Sequence, residues 1–266
     1  FLLALLVWIS AIFTAVTLIF IVGYILIKGV PHLTPQLFEL EYNSENVSMF
    51  PAIINTIFMI MLSLLVAGPL GIFAAVYLVE YAKKGNKLVS VVRVTAETLT
   101  GIPSIVYGLF GMLFFVTTLR WGYSMLAGAF TLAIMVLPVI MRTTEEALLA
   151  VPDTYREASF GLGAGKLRTI FVVILPSAVP GIFSGVILSI GRIVGETAAL
   201  MYTAGTVAEL PDSVMSSTRT LSVHMYSLAS EGLYVNQAYA TAVVLLVIVL
   251  VINWLSGRIA RKIKKG

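Results

Sequence analysis

The chain has no cysteine, which excludes disulfides and thiolate metal sites. It has only two histidines, His32 and His224, too far apart in sequence to suggest a shared metal. Charge is scarce as well: 11% of the 266 residues are charged and 59% are hydrophobic, with a mean hydropathy of +1.00. A soluble protein of this size cannot hide that much apolar surface. Low-complexity tracts and internal repeats are also lacking, so the whole chain reads as a single membrane domain, residues 1–266.

The sequence contains recurring apolar runs of about 20 residues, each long enough to cross about 30 Å of hydrocarbon as a helix. Six spans are expected, at about 1–27, 50–79, 88–118, 124–147, 177–204 and 237–256. Pro69, between Gly68 and Gly71, should kink the second. The third is interrupted at Gly101-Ile-Pro-Ser104, and its first half, with Arg93 and Glu97, is expected near the cytoplasmic surface. The chain opens on Phe1 within an apolar run, which suggests an N-terminal tail upstream; the first span is longer than a signal-peptide core.

A formal charge of +4 invites a nucleic-acid partner, but topology explains the basic residues better. Lys83, Lys84, Lys87, Arg93, Arg156, Lys166, Arg168, Arg258, Arg261, Lys262, Lys264 and Lys265, twelve of the 17 Lys and Arg, fall on one side of a six-span chain. The positive-inside rule makes that side cytoplasmic, with both chain ends there. The stretches 28–49 and 209–236 are then external and acidic. Within the second, Val214, Leu221, Met225 and Leu228 fit an amphipathic interfacial helix, with His224 at its surface or interface.

Between the fourth and fifth spans lies the one long polar passage, Asp153 to Pro176. Asp153 is placed to N-cap a helix with Glu157 near its positive end. Gly161, Gly163 and Gly165 permit a sharp turn, and Leu167, Ile170, Phe171 and Ile174 follow at helical spacing up to Pro176. The product is a helix–turn–helix outside the lipid. The run Gly161-Leu-Gly-Ala-Gly165-Lys166 imitates a phosphate loop, but the spacing requires glycine at Phe160 and a hydroxyl at Leu167. No nucleotide is expected to bind this chain.

Charges inside spans are expensive, about 2.5–3.5 kcal/mol each at a helix centre. Arg142 lies one turn from Glu145 and Glu146. Arg192 and Glu196 stand four apart on a stripe with Gly181, Gly185, Leu188 and Ala199, and Gly181/Gly185 and Gly191/Gly195 have the spacing of close helix approach. Two readings stay open. Each arginine either neutralises its own acids or offers a fork to an oxyanion, the carboxylate keeping it oriented when no anion is present.

These residues carry a resemblance. Glu157-Ala158-Ser159, Gly163 and Val173-Ile174-Leu175-Pro176 resemble the Glu-Ala-Ala loop of ABC-importer permeases, departing at Ser159 and Val173. Gly101–Gly108, Arg142–Glu146 and Gly191–Thr197 are similar to phosphate permeases of the PstA type, departing at Ala199, where that family commonly has proline. The resemblance implies an all-α, six-span type I importer (MetI-like) fold with a coupling helix in the cytoplasmic loop 149–176. There Arg156, Glu157, Ala158, Gly161, Gly163 and Lys166 would meet a separate ATPase. It implies a phosphate path through Arg142, Arg192 and Glu196. It implies a non-catalytic subunit of the bacterial or archaeal inner membrane, which binds no cofactor itself, the ATP and magnesium being used by the ATPase. The implied partners are a sister permease, an ATPase pair, an external phosphate-binding protein and membrane lipid. The open alternatives are another oxyanion (sulfate, molybdate, phosphonate), the sister-permease role, and an ion-coupled secondary transporter.

Overall fold

A segment in hydrocarbon must satisfy its backbone internally, and every regular element among the described residues is helical. The computed structural model describes residues 2–83 and 85–263; Lys84, Lys264 and Lys265, counted above with the basic residues, lie outside them, as does Phe1. The order is α1 (Leu2–Gly29), two short 3-10 turns, and α2 (Phe50–Val76), which ends in a π-turn, Tyr77–Tyr81. α3 (Lys87–Thr100) is followed by α4 (Ser104–Gly111) with its own π-turn, then by α5 (Met125–Leu149) and α6 (Asp153–Gly161). α7 (Lys166–Arg168) continues through a π-turn, Thr169–Ile174, into α8 (Leu175–Gly195). α9 (Ala198–Met201), α10 (Leu221–Glu231) and α11 (Val235–Ile263) complete the chain.

Among the described residues five helical stretches are long and apolar enough to span a membrane, and α3–α4, bent by 103°, is the sixth. The bend falls at Gly101–Pro103, where the sequence places its interruption. α2 runs unbroken through Pro69. α5 has 25 residues, about 38 Å at 1.5 Å per residue, enough to cross.

α5 fills the centre because its apolar residues continue around most of the helix. Leu132, Met135, Val136 and Ile140 are fully buried, against Met59 of α2, Tyr107 of α4 and Ile193 of α8. A second cluster ties Val76, Val89, Leu148 and Ile174 together where α5 ends and α7–α8 begins. Small residues bring α8 onto α5: a β-carbon at Gly181 would lie 2.5 Å from that of Ala147, and one at Gly185 would collide with the Thr143 hydroxyl. The spacing of these two glycines therefore does what it predicts. Gly191 and Gly195 have open space around them, so close approach stops there. α1 is the opposite case: Phe13 and Ile19 are both 72% exposed, an apolar surface of the kind that faces lipid.

Two sequence expectations change. The fifth span does not start near 177 and run to 204; it begins at Lys166 and ends at Gly195. Pro176 sits at the first positions of α8, and the π-turn before it joins the two pieces where proline has no N–H to give. The other change is at α10, which packs one face into the bundle. Leu221, Ser222, Val223, His224 and Leu228 are buried, and His224, expected at a surface or interface, is fully enclosed, its ring edge-on to Tyr42 at 6.2 Å.

Candidate functional site

The polar passage folds into an elbow. Pro152 occupies the N-cap position of α6 without a side-chain cap. The capping role expected of Asp153 is thus not taken up: it sits in the first turn, with its carboxylate 3.1 Å from Arg156 Nη1. Of the three glycines only Gly163 has a left-handed backbone, at φ +82°. It closes α6 in the Schellman pattern, with Ala164 N–H donating to the Ser159 carbonyl at 3.1 Å and Gly163 N–H to that of Phe160 at 2.9 Å. Gly161 and Gly165 have open space and no such need. Ser159, where the resembled family has alanine, is buried and shares a 2.8 Å hydrogen bond with the Thr169 hydroxyl, joining both arms of the elbow.

Arg156 is the fastener. Its Nε and Nη2 donate to Glu80 Oε1 at 3.2 and 2.7 Å, and Nη1 and Nη2 reach the carbonyls of Val151 and Leu148 at 3.0 and 3.1 Å. The side chains of Arg156 and Glu80 are only 16% and 9% exposed. Lys166 places its ammonium 4.7 Å above the Tyr81 ring. Two of the elbow's three cations, Arg156 and Lys166, therefore grip the turn that ends α2. Glu80 is a residue sequence reasoning passed over, although a lone acid closing a span beside a basic turn was a visible signal. Glu157 and Ala158 face outward. Beside them lies a groove of about 560 Å³, lined by Tyr155, Leu162, Gly163 and Arg168 among others. Leu162 is 90% exposed and Phe160 49%, an apolar projection from a polar loop of the kind that marks a protein contact.

The intramembrane charges separate into two places. Arg142 lies in α5, 3.2 Å from Glu146 and 3.5 Å from Glu97 of α3, while Glu145 pairs with Arg93. Together they line a cleft of about 320 Å³. Arg142 is thus balanced by carboxylates, and one of them, Glu97, comes from a different helix than the neighbouring acids of its own span. Taking Thr143 and Gly185 as level, Arg192 stands about 9 Å further along the axis than Arg142.

Arg192 and Glu196 do not form the i,i+4 pair read from the sequence. α8 stops between them at Gly195, and Glu196 is extended, at φ −74° and ψ 126°. Its Oε1 accepts from the Ala199 N–H at 3.0 Å, capping the short α9, and its carbonyl accepts from Ser222 Oγ at 2.6 Å. The departure at Ala199 thereby gains a meaning: proline there has no N–H to offer this carboxylate. Arg192 is half-buried beside Tyr107 of α4 and, among the described residues, makes no ion pair.

The helical bundle is shared with chains of solved ABC transporters. A chain of the bacterial alginate ABC transporter, crystallised in complex with alginate pentasaccharide-bound periplasmic protein, matches with a TM-score of 0.67 at 18% identity, over 97% of this chain and 96% of that one. Residues 67–265 match the binding-protein-dependent transport system inner membrane component family, and the chain belongs to that family. It is 34% identical to the probable ABC transporter permease protein YqgI of Bacillus subtilis, covering 94% of this chain and 92% of that protein. It is 32% identical to the phosphate transport system permease protein PstA of Haemophilus influenzae, covering 92% and 88%.

Proposed function

We propose that this chain is one permease half of an ATP-driven importer of inorganic phosphate. It pairs with a sister permease and receives phosphate from an external binding protein. Its elbow, residues 150–168, seats in the groove of a separate ATPase, which handles ATP and magnesium; the permease catalyses nothing itself. Both chain ends and the elbow face the cytoplasm, consistent with the basic residues gathered on that side. The observation that carries this reading is the elbow: a rigid α6 fixed to two spans through Arg156 and Glu80, presenting Leu162 and Phe160 outward. The likeness to PstA proteins supports phosphate, and Arg192, without a protein counter-charge, supplies a guanidinium for an oxyanion. Arg142, already balanced by Glu97 and Glu146, serves as a tie between α3 and α5 that an anion would have to loosen.

The test is reconstitution of the complex with phosphate uptake as readout. Leu162→Asp is expected to lower ATPase co-purification and uptake together, and Arg192→Gln to remove uptake while assembly stays intact. Normal uptake in Arg192→Gln would refute the path, and full co-purification of Leu162→Asp with normal uptake would refute the docking.

A further inference from the structure

At the end of the bundle opposite the elbow, Arg219 is 6% exposed, and its Nε and Nη2 have no hydrogen-bond partner. Among the described residues no carboxylate pairs with it. A buried guanidinium without counter-charge is among the costliest groups a fold can hold. Its orientation is set by Tyr42, whose ring lies 4.7 Å from the guanidinium carbon. The ring leaves Nε and Nη2 without a partner. Nε–H and Nη2–H are the two parallel donors of one guanidinium edge, the pair that forks onto two oxygens of one oxyanion.

The surroundings point the same way. Thr218 Oγ1 and Asn55 Oδ1 are also buried without partners, and Asn55 Nδ2 reaches toward the carbonyls of Glu209 and Arg219 at 3.4 Å. His224 is fully enclosed, and beyond the Val47 backbone next to it neither ring nitrogen finds a partner. Burial and the nearby Arg219 hold its pKa down to about 3, so it adds no second positive charge at neutral pH. Val47, beside His224, has a left-handed backbone at φ 46°, a strained conformation for a β-branched residue. Bridging water would satisfy the hydrogen bonds but not the charge. Ser222, three residues beyond Arg219, bonds the Glu196 carbonyl, which fastens this cluster to the break that ends α8.

We propose that Arg219, with the neighbouring Thr218 hydroxyl, forms an oxyanion site at the external end of the bundle, a station for the transported anion ahead of Arg192. The identity of that anion as phosphate rests on the function proposed above.

Thermal unfolding of the assembled complex tests the site, in an Arg192→Gln background so that the Arg192 region does not contribute. Phosphate, sulfate or chloride is titrated with gluconate holding ionic strength constant. Phosphate is expected to raise Tm saturably, and Arg219→Gln to abolish the rise. Arg219→Met guards against a folding artefact. If the guanidinium takes no ligand, its removal stabilises the complex equally in every buffer, which would overturn the site; under the proposal Arg219→Met is destabilised relative to its parent at saturating phosphate. A rise that survives Arg219→Gln, or an equal rise with chloride, also overturns it. A rise with sulfate alone that Arg219→Gln abolishes keeps the site and removes phosphate as its ligand. Normal phosphate uptake in the wild type with no Arg219-dependent rise keeps the transport function and removes the site.

Discussion

Glu80 should govern how firmly the elbow is held to the membrane bundle. Its Oε1 accepts both Nε and Nη2 of Arg156, at 3.2 and 2.7 Å. Glu80→Gln keeps an oxygen in place and removes only the charge. A hydrogen bond to a charged group is worth about 1.5–3 kcal/mol and a neutral one about 0.5–1.5, so the substitution should cost about 2 kcal/mol across the two contacts. Glu80→Leu removes the acceptor too and leaves a largely buried arginine with carbonyls alone, for which about 3 kcal/mol is reasonable, at the low end for breaking a buried pair. The remaining ties cannot make up the difference. Asp153 is 86% exposed and contributes at most about 1 kcal/mol, and the Lys166–Tyr81 contact contributes about 0.5–1.

Since 1.4 kcal/mol is about a tenfold change in an equilibrium, local detachment of α6 should become roughly 30-fold more frequent in Glu80→Gln and above 100-fold in Glu80→Leu. Hydrogen exchange reads this directly at the amides of Leu162, Gly163 and Ala164, which bond back to Ala158, Phe160 and Ser159. Amides in the middle of α5, near Leu132, serve as the control and should not change. Exchange at α6 within threefold of wild type in both variants would refute the fastener role of the Arg156–Glu80 pair.

Ala199→Pro removes the N–H that Glu196 Oε1 accepts at 3.0 Å; it should cost about 1–3 kcal/mol through the buried carboxylate left without that donor and change phosphate KM, measured by uptake, because the freed acid stands four residues from Arg192. An unchanged Tm and KM would show the bond to be incidental. His224 makes stability fall with acidity. Its pKa is depressed from 6.5 to about 3 by burial and by Arg219, so the unfolded chain takes up a proton from about pH 6.5 downward while the folded chain does not. The stability is complete above that value; about 1.4 kcal/mol is lost by pH 5.5 and more as pH falls toward 3. His224→Gln should remove this component, flattening the Tm difference between pH 7.5 and 5.5 by about 3–6 °C; an identical pH profile in the variant would contradict it.

Which parts of this were legible in the sequence follows from the range of the interactions involved. Hydropathy, the break at Gly101–Pro103 and the close approach at Gly181 and Gly185 are properties of consecutive residues, and they appear where the pattern puts them. Arg192 and Glu196 show where periodicity fails. Four residues apart predicts one face, provided the helix continues, and nothing in the local pattern shows that Glu196 will cap α9 instead. Arg142 finds Glu97 across 45 positions and Arg156 finds Glu80 across 76, pairings that spacing within one helix does not reveal. Arg219 and His224 were hidden for another reason: they lie in a polar stretch of the sequence that reads as surface, and it is the packing of α10 against α11 and α2, with Tyr42 over both side chains, that buries them.

The elbow and the far end of the bundle are joined by one element. From Lys166 to Gly195 the chain is helical for 30 residues, about 45 Å, so a displacement of the elbow is carried along α8 rather than absorbed in a loop. The one irregular turn, Thr169–Ile174, lies beside the elbow, where Ile170 and Ile174 are buried against the ends of α2 and α5 and brace it. Beyond it, the contacts of Gly181 with Ala147 and Gly185 with Thr143 hold α8 against α5 through its middle. The continuous helix ends at Gly195, and Glu196 beyond it is held by one bond to α9 and one to α10. A tilt of the rod consequently reaches Arg192, at its last turn, with the longest lever arm. That places the Arg192 guanidinium in the last turn before the helix breaks, the geometry on which the proposed function gives the anion path to Arg192 and a tying role to Arg142.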